Sequence, residues 1–369
     1  MKGSSFSSIL AVVLLSACGS AAPANPPSPV AGSSSASAIS SSASAKPAAS
    51  AANPSTSPAA SGTQVKIAIA GANIIESSAD LANKDGNYQR HGISATITRI
   101  NGSTNTMAAL QSGEIQFALT TGEAVLLGQS KNLPLLSVAA VNSGFTQSLV
   151  MSSKWVQAHP LPSNASLEQR AALLNGATLG QLGAATDAVT LKHFQQLANL
   201  PASATKQVKM QNQEAQLAAL RQGEIDGISL SAPESFEAEA EGVGKVVLNS
   251  RDIPKWDEAP YIVALTTKTY AKDHPDAVKG TLAAVEEALA RMNAGGPAIL
   301  DYEKAVYPNY SPEVLQRSLD FIHLAPYKPM SAEMWQVEAQ ILADSGQLSA
   351  PLAPKEGTDW TNEFMPPKP

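Results

Sequence analysis

The chain has 369 residues, a formal net charge of −6, 15% charged residues and 5% aromatics, a length that suits two domains of ordinary size. An acidic balance with no Lys/Arg cluster excludes a nucleic-acid partner held by phosphate neutralisation. A single cysteine excludes a disulfide framework and a cysteine-rich zinc site.

The amino end begins with Met1-Lys2, continues through an apolar run from Ile9 to Leu15, and turns at once to Ser16-Ala17-Cys18-Gly19. That run is far below the roughly 20 apolar residues that span a bilayer, so residues 1–18 read as an export signal. Leu15-Ser16-Ala17-Cys18 resembles the lipobox of bacterial lipoproteins. The resemblance implies a diacylglyceryl group and acyl chains such as palmitate on Cys18. The protein would then be anchored to the extracytoplasmic face of the cell membrane, in the periplasm or at the cell surface. Two acyl chains hold a protein to a membrane where one is marginal. Residues 19–63 are almost only Ser, Ala, Pro, Gly and Asn, with Lys46 as their one charge. Such a segment cannot bury enough apolar surface to offset chain entropy, and it is expected to be a disordered tether with a reach of roughly 35–40 Å.

Next comes a strand, Val65 to Ala70, with branched apolar alternation, and a glycine-bearing turn, Gly71-Ala72-Asn73, into a helix. Ala108-Ala109-Leu110-Gln111-Ser112-Gly113-Glu114-Ile115 recurs about 110 residues later as Ala218-Ala219-Leu220-Arg221-Gln222-Gly223-Glu224-Ile225. Each copy ends a helix on a glycine and enters a strand, Ile115–Leu119 and Ile225–Ser229. Small polar residues follow, Thr120-Thr121-Gly122 and Ser231-Ala232-Pro233, and open another helix. Between the copies, Ala177–Leu182 and Gly183-Ala184-Ala185-Thr186 repeat the first strand and its turn. Alternating strands and helices predict mostly parallel sheets covered by helices, and a period this long predicts two duplicated lobes.

Leu135–Val141 and Gln147–Met151 read as strands where the chain leaves the first lobe, and Tyr261–Leu265 as the strand where it returns. The remainder is mostly helical, with starts at His274-Pro275, Ser311-Pro312 and Ser331. These helices are expected to pack on the first lobe. The lobes are accordingly assigned as 64–148 plus 263–369, and 149–262.

The segment Leu81 to Thr96, with Asp85-Gly86-Asn87-Tyr88-Gln89-Arg90-His91-Gly92-Ile93, resembles solute-binding proteins of the nitrate/sulfonate/taurine type, the NMT1/THI5-like group. The stretches 107–119 and 217–229, and Pro260-Tyr261 before a strand and a proline-started helix, are similar too. One departure is Gln116, where the family commonly carries aspartate, as at Asp226. The resemblance implies a type II periplasmic-binding fold, two α/β lobes closing on a small solute, and delivery to the permease of an ABC importer by a monomer with no cofactor or metal.

Physical reasoning points to the same site. In open α/β sheets, ligands sit beyond the carboxyl ends of the strands, where helix amino ends present free N–H groups. The candidate ligand-binding residues are Asn73, Ile74, Ser103, Thr104, Thr120, Thr121, Asn142, Ala185, Thr186 and Ser231. Ser, Thr and Asn are also the commonest helix caps, so each has a structural explanation beside the ligand one. Small side chains suit an anion, yet none of these turns contains Lys or Arg. Glu76 and Glu123 either complement helix dipoles or recognise an amine or heteroaromatic cation. Trp155, Trp256 and Tyr261 lie near the crossings, to stack on a ring or to fill the core.

Catalytic patterns are missing from the sequence. The five histidines show no metal-ligand spacing, and there is no G-x-S-x-G elbow, phosphate loop or dinucleotide fingerprint. A pyrimidine-synthesising branch shares the fold but needs a cysteine-rich motif that a chain with only Cys18 cannot supply. A lipid-anchored sensor or adaptor that passes its signal to a partner would have the same sequence features.

Overall fold

The computed structural model describes residues 62–69, 74–100, 102–182, 185–322, 324 and 328–366. The export signal, Cys18, the tether up to residue 61 and Asn73 lie outside them.

Strand β1 (Thr63–Ile69) is followed by helices α1 (Ser77–Lys84) and α2 (Asn87–Arg90), then β2 (Ile93–Arg99), α3 (Ser103–Ser112), β3 (Phe117–Thr121), α4 (Gly122–Ser130) and β4 (Leu135–Asn142). A second series opens with β5 (Ser148–Ser152), α5 (Ser153–Ala158) and α6 (Leu167–Ala171). It runs on through β6 (Thr178–Gln181), α7 (Ala185–Leu197), β7 (Lys206–Lys209), α8 (Gln213–Gln222), β8 (Gly227–Leu230), α9 (Glu234–Ala240) and β9 (Gly244–Asn249). The chain returns in β10 (Ile262–Thr267) and ends in α10 (Lys268–Asp273), α11 (Pro275–Ala294), α12 (Pro297–Val306), α13 (Pro312–Phe321) and α14 (Ala332–Asp344).

The strands form two five-stranded sheets, β2-β1-β3-β10-β4 and β7-β6-β8-β5-β9. The orders are the same once β1–β4 are matched with β6–β9, and β10 with β5. In the first sheet β1 runs parallel to β2 and β3, while β10 is antiparallel to β3 and β4. In the second, β6 runs parallel to β7 and β8, while β5 is antiparallel to β8 and β9. The antiparallel strand of each sheet is thus the one that arrives from the other half of the chain. The protein is a two-lobed α/β fold built on mostly parallel sheets, with helices packed against the strands.

The duplicated segment is duplicated in three dimensions. The succession of buried and exposed positions along 111–130 recurs position for position along 221–240. Both helices end on a left-handed glycine, Gly113 at φ 75° and Gly223 at φ 71°, a conformation glycine adopts without steric cost. The departure at Gln116 has a simple physical meaning. Asp226 accepts a hydrogen bond from the Thr178 N–H, in β6, through Oδ2 at 2.8 Å. Gln116 does the same for the Lys66 N–H, in β1, through Oε1 at 2.9 Å, and its Nε2 donates to the Gly113 carbonyl at 3.0 Å. An amide oxygen replaces a carboxylate oxygen in one strand-tying bond. That use of Gln116 also explains why β3 starts at Phe117 and not at Ile115 as its apolar pattern suggests: Ile115 and Gln116 close the turn.

Helix α11 lies along α1, α2, β2 and β4. The C-terminal helices, expected on the first lobe, also reach elements of the second. Helix α13 packs on α9, with the Phe321 and Phe236 rings edge to face at 5.3 Å, and α14 touches both α4 and α7. Trp335 of α14 is fully buried, burial that typically contributes about 2 kcal/mol or more for a side chain this large. These helices therefore reach elements attached to both sheets.

Candidate ligand cleft

Helices α1, α4, α7 and α9 start just beyond the carboxyl ends of β1, β3, β6 and β8. The start of α4 is set by a close approach. The Gly122 N–H donates to the Tyr261 carbonyl at 2.8 Å, and a Cβ on Gly122 would lie 2.3 Å from the Pro260 carbonyl oxygen. Glycine is required there, and its contact brings Pro260-Tyr261, on the return crossing, against the end of β3.

Ser103, the first residue of α3, and Thr121, the cap of α4, bring their hydroxyls to 3.1 Å. Thr146, in the outward crossing, donates to the Ser231 hydroxyl at the end of β8, at 3.4 Å. Burial first, and then the Asp187 and Glu76 carboxyls, push the Tyr261 hydroxyl up to about 12, against the opposing effect of the Gln147 and Thr146 side chains. Asp187 stands in the first turn of α7 and Glu76 caps α1, so Tyr261 lies between groups that follow β6 of one sheet and β1 of the other.

Other residues expected at the site are placed differently. Ile74 is fully buried and joins the core, while its carbonyl accepts the Ser77 hydroxyl at 2.7 Å. Thr104 is exposed on α3. Thr120 is buried in β3 opposite Val263, and Thr186 is buried in α7. Both ends of the Asn142 amide are used inside the crossing: Oδ1 accepts from the Ile262 N–H at 2.9 Å and Nδ2 donates to the Gly144 carbonyl at 3.2 Å. Ala185 opens α7. Trp155 is tied into the second lobe by its Nε1 bond to the Leu173 carbonyl at 2.9 Å. Trp256 is buried against Phe145 and His193, with ring centroids 4.8 Å away in each case. Tyr261 is buried on the return crossing, its ring 4.7 Å from that of Phe145.

Sequence reading missed a third group. Ser77 donates to Glu303 Oε1 at 2.9 Å, and Tyr302 donates to the Ser77 carbonyl at 3.3 Å, so α12 sits on the first turn of α1. Burial pushes the Glu303 carboxyl up to about 7, and does the same for Glu123 and Glu234. Tyr310 acts on the Glu234 carboxyl, lowering it against burial, and the Tyr307 and Tyr310 rings lie edge to face at 6.3 Å. The Tyr307 hydroxyl is raised by burial and then by Glu303, Glu234 and Glu76 among its charges. Residues 297–310, distant in sequence, thus connect α1 with α9. A separate hollow of about 570 Å³, lined by residues such as Val156, Pro160, Arg170 and Val246, lies outside this region.

The NMT1/THI5-like family profile matches residues 80–295, more than half of the chain. The chain belongs to the NMT1/THI5-like family. Solved structures share its fold. The alkanesulfonate-binding protein SsuA of Xanthomonas axonopodis pv. citri, bound to MOPS, is 18% identical, with 80% of this chain and 96% of that one covered at a TM-score of 0.62. The periplasmic aliphatic sulphonate-binding protein SsuA of Escherichia coli is 17% identical, covering 80% and 95% at 0.62. The periplasmic nitrate-binding protein NrtA of Synechocystis PCC 6803 is 14% identical, covering 78% and 81% at 0.54. These three neighbours are binding proteins. No curated protein matches the chain by sequence. Among the described residues, no helix is long and apolar enough to cross a membrane.

Proposed function

We propose that this protein is an extracytoplasmic solute-binding component that captures a small molecule between two lobes and delivers it to the permease of an ABC importer. The observation that carries this reading is Tyr261 on the return crossing, whose carbonyl takes the Gly122 N–H at the end of β3 at 2.8 Å and whose ring lies 4.7 Å from that of Phe145 on the outward crossing. A solute at that point touches both halves of a fold shared with sulfonate- and nitrate-binding proteins. The lobes are residues 64–148 with 263–369, and residues 149–262, joined by two crossings. Open and closed arrangements exchange, and a ligand that contacts both lobes shifts the population toward the closed one in proportion to its differential affinity. The closed form docks on the permease.

The protein binds without catalysing a reaction. Among the described residues, its cleft hydroxyls pair with one another, Ser103 with Thr121 and Thr146 with Ser231. It works as a monomer held to the membrane through a lipid on Cys18, with residues 19–63 as tether. Small-angle scattering tests closure. The solute that accompanies the purified chain is identified by native mass spectrometry, removed by refolding and added back. The radius of gyration is expected to fall on saturation, and an unchanged radius with ligand bound would overturn the mechanism.

A further inference from the structure

The stretch that carries α12 and α13 is tied to the first lobe at both ends. It enters from α11, which packs on α1, α2, β2 and β4, and it leaves through Leu324, whose backbone pairs with Asn142 at the end of β4. Its first half, α12, is held on α1. Ser77 donates to Glu303 at 2.9 Å, Tyr302 donates to the Ser77 carbonyl at 3.3 Å, and the Lys84 ammonium lies 4.6 Å from the centre of the Tyr302 ring. Between these ties α13 reaches across to α9, which follows β8 of the second sheet.

Neighbouring residues of α13 serve different cores. Leu315 is fully buried and belongs to the main core, whereas Val314 packs with Ala232 and Phe236 in a small apolar cluster of its own. Contacts of a separable kind surround that cluster. The Arg317 guanidinium sits 4.1 Å over the Phe236 ring and donates to the Glu239 carboxylate at 2.6 Å, with the Arg317 side chain half exposed. The Arg251 guanidinium, just after β9, lies 4.8 Å over the Phe321 ring, which itself meets Phe236 edge to face. Exposed ion pairs and cation–π contacts are individually weak, so α13 can leave α9 without opening the main core. Ser77 follows β1 and Ala232 follows β8, so the stretch runs from the strand ends of one sheet to those of the other.

We propose that residues 297–321 form a strap that travels with the first lobe and latches the second through the grip of α13 on α9. Separation of the lobes then requires Val314, Arg317 and Phe321 to release Phe236 and Glu239. The inference rests on the solute-binding reading and concerns how the lobes of that reading are held and freed. A latch of this kind favours the closed arrangement before any solute arrives, and the solute has to supply only the rest of the shift.

The test is thiol labelling of the full chain with no solute added, the labelled position being read by peptide mass spectrometry so that Cys18 does not interfere. Val314→Cys should react well ahead of Ala288→Cys, a buried position in α11, while Leu315→Cys stays as protected as Ala288→Cys. Arg317→Ala changes a half-exposed side chain and leaves both cores intact. The loss of one ion pair and one cation–π contact should speed labelling of Val314→Cys about tenfold, with a larger radius of gyration. Protection of Val314→Cys equal to that of Ala288→Cys would overturn the latch, as would labelling unchanged by Arg317→Ala. Labelling at 314 and 315 together would show that α13 unravels instead of releasing α9. Should Leu315→Cys itself lower the melting point, the response to Arg317→Ala decides. Faster labelling with an unchanged radius would separate the contact from lobe motion and overturn the proposal as well. None of these outcomes touches the solute-binding reading, which falls instead if the identified solute binds and leaves the radius of gyration unchanged.

Discussion

The hydroxyls of Ser103 and Thr121 lie 3.1 Å apart, joining the first residue of α3 to the cap of α4. Ser103 follows β2 and Thr121 ends β3, the two strands that flank β1, and the hydroxyls form a small polar pair where these strands end. Thr121→Ala and Ser103→Ala should each weaken solute binding by about 0.5–1.5 kcal/mol, or roughly two- to tenfold, with little change in melting point. Because the two groups touch, the double variant should lose less than the sum. Calorimetric titration checks this, and parental affinity in both single variants would remove the pair from the site.

Asp226 and Gln116 tie equivalent strands by equivalent bonds. Asp226→Ala leaves the Thr178 N–H without its acceptor and should cost about 1–3 kcal/mol, whereas Asp226→Asn keeps an oxygen in place and should cost less. Gln116→Asp should be close to neutral. Thermal unfolding ranks the three, and equal losses for Asn and Ala at position 226 would contradict the bonding described.

Glu123 of α4 and Glu338 of α14 are buried carboxyls that repel each other. Burial pushes Glu123 up to about 7, while Glu338 is raised by burial and by Glu123. The folded chain therefore keeps protons that the unfolded chain releases from about pH 4 upward, so this pair makes stability fall as pH rises toward 7 and beyond. Glu338→Gln should be nearly neutral at pH 4.5 and stabilising by roughly 1–3 kcal/mol at pH 8. Urea unfolding at the two values tests the sign, and equal destabilisation at both would refute it.

For anchoring, Cys18→Ser should move the protein from the membrane fraction to the soluble one, or leave the precursor uncleaved. Detergent partitioning unchanged by the substitution would rule out the lipid.

The repeat at 107–119 and 217–229 was legible because each copy encodes a local unit: an apolar helix face, a glycine that alone tolerates the left-handed turn, and a short strand. The wider site was less so. The rule that turns after strands form the cleft named Ser103, Thr121 and Ser231, whose hydroxyls the structure shows in two pairs at strand ends. Ile74 and Asn142 obey the same rule yet serve the core and the crossing, a distinction that depends on which way a side chain faces. Glu303 gave no local signal at all. Its partner Ser77 is 226 residues away, and only the packing of α12 on α1 makes the pair.

Strand β10 lies between β3 and β4, and it is the last strand in the chain. A polypeptide emerging amino end first can complete its second sheet at Asn249, while its first is still two pieces, β2-β1-β3 and a separate β4. The gap closes only when Ile262–Thr267 arrives, through pairings such as Ile262 with Asn142 that join distant parts of the chain. Such non-local closure is slow. The earliest-made strands thus wait for the latest, and a chain still short of residue 262 has not assembled its leading lobe.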